Sequence, residues 1–244
     1  MNSPFMLFYM SNSYMFHKPY SFFLVILLSS LTWLQCSPSD SSSTSGSNAF
    51  SPEISASDIY SHIEFLASDS LQGRESGTEF EALASNYIIQ KFEEFGVQPK
   101  GDDGTFLQAF TINTARLTNP HATDNAEGER RVANNVVGWI SGRSNTNEYV
   151  VIGAHYDHLG YGSFGSLYRG DTPRIHNGAD DNASGTAGLL ELAHYFSEYP
   201  PADNILLLAF SGEEMGLLGS AHYVEEPTVD LSQAKAMINL DMIG

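Results

Sequence analysis

Four polar stretches between residues 154 and 241 carry side chains that can bind metal, and three of them directly follow apolar, strand-like runs. They are Ala154-His155-Tyr156-Asp157, Gly178-Ala179-Asp180-Asp181-Asn182-Ala183-Ser184-Gly185, Ser211-Gly212-Glu213-Glu214 and Asn239-Leu240-Asp241. A carboxylate-rich donor set with one imidazole suits a pair of zinc ions, and zinc bound in this way activates water.

Each stretch alone has a second, purely structural reading. His155 follows an apolar strand-like run, and Asp157 two residues on is within reach to accept its second ring N–H, the usual way of fixing the tautomer of a ligating imidazole. It equally suits a hydrogen-bonded structural histidine. Asp180 and Asp181 precede a helix and can serve as capping carboxylates favoured by its dipole; two adjacent aspartates also suit one cap and one ligand. Ser211 and Glu214 have capping-box spacing. The Glu213-Glu214 pair equally suits a division of labour, one carboxylate on metal and the other exchanging protons with water. Asp241, at the end of an apolar strand, needs a cation or hydrogen-bond donors for company. His158, His176, His194 and His222 read as structural or surface residues. Four signals on one sheet edge, in one order, are not explained by chance capping.

The elements around these residues read as follows. A helix capped by Ser57 or Asp58 carries Ile59, Ile63 and Leu66 at helical spacing. A second helix spans residues 79–95, with Gly96 as its stop. Residues 101–131 show turn signals and short strands without a clear period. Strands are expected at 132–140, 149–154, 204–210 and 236–240, and an amphipathic helix at 184–196. Unbroken apolar strands alternating with helices predict an α/β fold with a mainly parallel central sheet flanked by helices on both faces. Ligands bind such sheets at the carboxyl ends of the strands, where His155, Glu213, Glu214 and Asp241 fall.

A chain of 244 residues supports one sizeable core. Eleven Lys and Arg against 29 Asp and Glu give a net charge of −18, which argues against nucleic acid and against an electrostatic hold on anionic membranes. Cys36 is the single cysteine, so no internal disulfide exists. Residues 22–34 form an apolar run shorter than the about 20 residues a membrane span needs, and fit the core of a secretory signal. The segmentation read from this is a signal peptide over 1–35, a Ser-rich tether over 36–54, and a folded domain over 55–244. Signal, cysteine and tether form the layout of a bacterial lipoprotein, with Gln35 an unusual residue before the acylated cysteine. The expected location is the periplasm or cell envelope, with a lipid anchor on Cys36.

Ala-His-Tyr-Asp-His, Gly-Ala-Asp-Asp-Asn-Ala-Ser-Gly, Ser-Gly-Glu-Glu-x-Gly-Leu-Leu-Gly-Ser and Asn-Leu-Asp-Met-Ile-Gly, with Leu71-Gln72-Gly73-Arg74 upstream, resemble the co-catalytic di-zinc aminopeptidases of metallopeptidase family 28. The resemblance implies a zinc-aminopeptidase-like three-layer sandwich, two zinc ions, and peptide substrates with free amino termini. It implies His155 and Asp241 as ligands of the first ion, Asp180 as the bridging ligand, and Glu214 as a ligand of the second. Glu213 would be the general base and acid, Asp157 would orient His155, and a cis peptide would precede Asp181. The family draws its fifth ligand, a histidine, from beyond the position of Asp241. No other histidine here sits in a matching motif, so the resemblance implies a fragment, incomplete at the carboxyl terminus and inactive as it stands. Two alternatives accompany this reading. One is a single-zinc glutaminyl cyclase of the same superfamily, whose similar motifs lack a second acidic residue after the bridging aspartate, so Asp181 argues against it. The other is a non-catalytic envelope protein that keeps the fold.

Overall fold

The structure is a computed structural model and describes residues 7–9, 53–115, 126–162 and 165–244. The expected signal core, Cys36 and most of the tether lie outside these residues.

Helix α1 (Ala56–Leu66) is capped by Ser55, not by Ser57 or Asp58: the Ser55 hydroxyl accepts from the Asp58 amide. Helix α2 (Glu79–Phe95) begins at the Thr78 cap and ends at Gly96, whose φ of 76° provides the left-handed stop. Among the described residues one sheet holds seven strands: β1 (Leu7–Tyr9), β2 (Gln98–Pro99), β3 (Leu107–Asn113), β4 (Arg130–Ile140), β5 (Tyr149–His155), β6 (Asn204–Phe210) and β7 (Ala234–Asn239). Helix α3 (Gly185–Glu198) lies between β5 and β6, and α4 (Leu218–Glu225) between β6 and β7.

The strand order is β1-β7-β5-β6-β4-β2, with β3 also paired to β4. Pairs β1–β7, β7–β5 and β5–β6 are parallel, whereas β6–β4, β4–β2 and β4–β3 are antiparallel. The α/β class therefore holds, but the sheet is mixed rather than mainly parallel. The antiparallel pairs all involve β4, which runs against β2, β3 and β6, whereas β5, β6 and β7 are parallel neighbours joined by crossovers.

Both sheet faces are covered. Adjacent strand residues point to opposite faces, and β4 shows where each leads. A Cβ at Gly138 would meet Phe92 of α2 within 3.0 Å, while Val137 packs in a cluster with Tyr149, Val151, Leu206, Leu208, Phe210 and Tyr223 of α4. Every residue of β6 is buried, which is why that strand reads as an unbroken apolar run rather than an alternation. Strands β5, β6 and β7 run side by side in parallel, so their carboxyl ends share one rim.

Candidate metal centre

On that rim His155 is the last residue of β5, Glu213 and Glu214 lie three and four residues past the end of β6, and Asp241 lies two past β7. The fourth contribution comes from the turn of residues 179–184 that runs into α3. His155 Nε2 stands 3.2 Å from Asp181 Oδ1 and 3.6 Å from Asp241 Oδ1. Donor atoms around a four-coordinate zinc ion with bonds of about 2.0 Å are roughly 3.3 Å apart, so the spacing of this donor set fits such an ion. A second set, His158, Asp181 and Glu214, also brings one ligand atom from each residue within 4.8 Å of one another. Asp181 belongs to both sets.

The expected bridging role of Asp180 is corrected by this geometry. Asp180 is exposed, and its Oδ1 accepts from the Ser184 hydroxyl at 3.2 Å and the Gly244 amide at 3.0 Å. The residue shared by the two donor sets is Asp181, and the cis peptide joins Asp181 to Asn182 rather than preceding Asp181. Sequence gives two adjacent aspartates with nothing to separate them, and the backbone turn decides which one faces the rim. The argument against a cyclase from a second acid lapses with this shift, because the residue after Asp181 is Asn182. The Asn182 side chain is fully buried, donating to the carbonyls of His155 and Leu240 and accepting from the amides of Gly185 and Met242. It thereby ties the ends of β5 and β7 to the start of α3.

The capping alternative for Glu213 and Glu214 also fails. Helix α4 starts at Leu218, and the Ser211 hydroxyl pairs with Ser76 Oγ at 3.1 Å instead of capping a helix. The turn is held from below by Asp157, which is wholly buried. Its Oδ1 accepts from the Glu213 amide at 3.2 Å, and its Oδ2 from the Ser76 hydroxyl at 2.8 Å and the Glu214 amide at 3.4 Å. Ser76 Oγ in turn accepts from the Gly212 amide at 2.9 Å. Toward His155 the nearer acceptor is the main-chain oxygen of Asp157, 3.2 Å from Nδ1, with the carboxylate at 3.6 Å. Asp157 thus reaches both the imidazole and the two glutamates.

Arg74 organises the same region from underneath. Its fully buried guanidinium donates to the carbonyls of Leu66, Tyr156, Asn177 and Gly178, joining α1, the residues after β5 and the loop that carries Asp181. Burial lowers its pKa to about 10, against the opposing pull of Asp157, Asp181 and Glu214. No local pattern marks Ser76, Arg74, Asn182 or His158 as part of this site: Ser76 lies 81 residues from Asp157 in the chain and Arg74 lies 82 from Tyr156, and only the Leu-Gln-Gly-Arg motif singles out Arg74.

The electrostatics ask for positive charge. Burial favours neutral His155, yet hydrogen bonding to Asp157, Asp181 and Asp241 outweighs it and pushes the pKa up to about 12. Glu213 belongs to neither donor set. Burial, with Asp157, Glu214 and Asp241 adding to it against the attraction of His155, pushes its pKa up to about 7. A carboxyl at that value can both take and give a proton near neutrality.

The fold is similar to those of solved zinc-dependent exopeptidases. A solved leucine aminopeptidase precursor from Bacteroides thetaiotaomicron VPI-5482 superposes with a TM-score of 0.56 at 22% identity, covering 78% of this chain and 62% of that one. A solved glutaminyl cyclase from Porphyromonas gingivalis matches equally, with a TM-score of 0.56 at 21% identity over 78% and 60% of the two chains. Within that class, residues 135–244 match Peptidase family M28, the family implied by the motifs. This stretch contains His155, Asp157, Asp181, Glu213, Glu214 and Asp241. A probable zinc metalloprotease of Pyrenophora tritici-repentis (strain Pt-1C-BFP) is 39% identical over 109 residues, 45% of this chain and 24% of that protein. Aminopeptidase YwaD of Bacillus subtilis (strain 168) is 36% identical over 98 residues, 40% of this chain and 18% of that protein. The matches thus span about a quarter or less of these relatives' length.

Proposed function

We propose that this M28 chain belongs to a zinc-dependent aminopeptidase that removes amino-terminal residues from peptides. The observation that carries the reading is the pair of donor sets sharing Asp181 beside Glu213. Divalent cations in such a site supply Lewis-acid polarisation of a carbonyl and bring the pKa of water towards neutrality. His155, Asp181 and Asp241 would hold one ion, and Asp181 and Glu214 a second. Glu213, next to Glu214 but in neither donor set, takes the proton from the attacking water and delivers it to the leaving amine. Asp157 and Ser76 keep the Glu213-Glu214 turn in place while this occurs. The carboxylate of Asp241, partly exposed on the rim, also offers attraction to a free ammonium, which favours action at chain ends. The relative named an aminopeptidase supports this choice.

The test is hydrolysis of aminoacyl-nitroanilides by the full-length protein, with N-acetylated counterparts as controls. Zinc-dependent release from the free amines alone is expected, abolished by a chelator and restored by zinc. Equal cleavage of the blocked substrates would refute the exopeptidase assignment. The cyclase fold likeness keeps a second reading in view, and Asn182 after the shared aspartate no longer opposes it. One tight ion per chain, with ring closure of amino-terminal glutamine, would select the cyclase. Export to the cell envelope and anchorage through Cys36 complete the proposal; a Cys36→Ser variant should lose incorporation of labelled palmitate.

A further inference from the structure

We propose that Glu81 keeps its proton in the folded protein at neutral pH and, by donating it in a hydrogen bond, positions Tyr156, the residue between His155 and Asp157. Glu81 stands in the first turn of α2, three residues after the Thr78 cap, where a glutamate ordinarily reaches back as an ionised carboxylate. That reach is made here, with Oε2 accepting from the Gly77 amide at 3.1 Å. Yet Glu81 is only 1% exposed, and its other oxygen is engaged inside the molecule. Oε1 accepts from the Asn134 amide at 3.1 Å and lies 2.5 Å from the hydroxyl oxygen of Tyr156. The same hydroxyl oxygen lies 2.6 Å from the Asn134 carbonyl oxygen. Two oxygens this close need a hydrogen between them, and a tyrosine hydroxyl carries only one. A carbonyl has none to give. Tyr156 therefore donates to Asn134, and the second hydrogen comes from Glu81.

The surroundings agree with a neutral acid. Burial pushes the Glu81 carboxyl above its usual value, against the bonds from Tyr156, the Asn134 and Gly77 amides and Ser211. Tyr156 is wholly buried and held well above the ordinary tyrosine value, so its own proton stays on. Of the facing elements, β4 offers the main chain of Asn134, the segment after β5 offers Tyr156, and the segment after β6 offers Ser211. Arg131 of β4, whose side chain passes Gly77, is paired with Glu75 and Glu129. No cation pairs with Glu81 among the described residues. A carboxylic acid kept neutral by its site serves as a donor, and here the donor fixes a residue already bound at both ends. The Tyr156 amide donates to the Phe210 carbonyl at 2.9 Å, and its carbonyl accepts from Arg74 Nε at 2.7 Å. Anchoring the ring to α2 and β4 completes the hold, and the directions of His155 and Asp157 follow from it.

The experiment uses the full chain in chelator, so that its outcome does not depend on the metal reading, with carbon-13 at the glutamate carboxyls. At neutral pH the Glu81 signal should stand at the position of a neutral acid and vanish in Glu81→Gln. Glu213 is also raised, and Glu213→Gln identifies its signal, so the Glu81 resonance is assigned even if Glu81→Gln does not fold. Stability supplies the second readout. A glutamate that stays protonated when folded but ionises at about 4.3 when unfolded makes folding take up one proton. Its contribution is whole below about pH 4.3 and is lost as pH rises towards the folded value. Glutamine keeps a donor and an acceptor with no titrating proton. The ratio of wild-type to Glu81→Gln unfolding constants should therefore climb by up to about tenfold per unit between about pH 5 and about pH 7. A carboxylate signal for Glu81 at neutral pH, or a ratio that stays constant over that interval, overturns the proposal.

Discussion

Asp157→Asn tests whether the rim is built on one buried carboxylate. Asp157 accepts from three donors, with the Ser76 hydroxyl and the Glu214 amide sharing Oδ2 and the Glu213 amide on Oδ1. Asparagine retains a single acceptor oxygen. It would take the doubly occupied Oδ2 position, which leaves its new NH₂ facing the Glu213 N–H. One charge-assisted bond disappears and leaves the Glu213 amide without its acceptor, so the expected loss of unfolding free energy is about 1.5–3 kcal/mol. Urea unfolding in the presence of chelator measures it without a contribution from bound metal. Ser76 touches Asp157, so Ser76→Ala combined with Asp157→Asn should deviate from additivity by about 0.5–3 kcal/mol. A loss below about 1 kcal/mol with additive effects would refute the reasoning, because the turn would then be held by something other than this carboxylate.

Three further outcomes are expected. Asp181→Asn should lower bound metal towards zero ions per chain while Asp180→Asn leaves it nearly unchanged; elemental analysis after dialysis decides, and loss of metal in the Asp180 variant would make Asp180 the bridging ligand. Glu213→Gln should reduce the rate constant for peptide hydrolysis by about 10²–10⁴-fold with metal content unaltered, since Glu213 lies in neither donor set; unchanged turnover would remove it from the reaction. Arg74→Lys should destabilise the chain by about 2–4 kcal/mol, because an ammonium cannot serve the four carbonyls that the planar fork reaches; a thermal or urea midpoint equal to wild type would contradict that.

The chain's periodicities were largely legible. Helix α2 and strand β6 occupy the residues that their apolar spacing indicates, and β5 extends one residue further to include His155. That single residue matters, because it sets the imidazole on the ordered end of a strand. The caps were less legible: Ser55, Ser57 and Asp58 are all good capping residues, and the path of the incoming chain selects Ser55. The Ser211–Glu214 spacing fits a capping box, but Ser76 and Asp157, distant in sequence, claim the hydroxyl and the amides first.

The sequence by itself determined the residue types, their order along three parallel strands, and hence the kind of rim they form. Local pattern governs both strand formation and the direction of the chain at a strand end. Which aspartate of the adjacent pair faces the rim, and the nearness of His158 to Glu214, were decided only by tertiary structure. Both depend on a turn held by Asn182 and Arg74 through carbonyls on other elements, and contacts between distant segments leave no periodic trace in the chain.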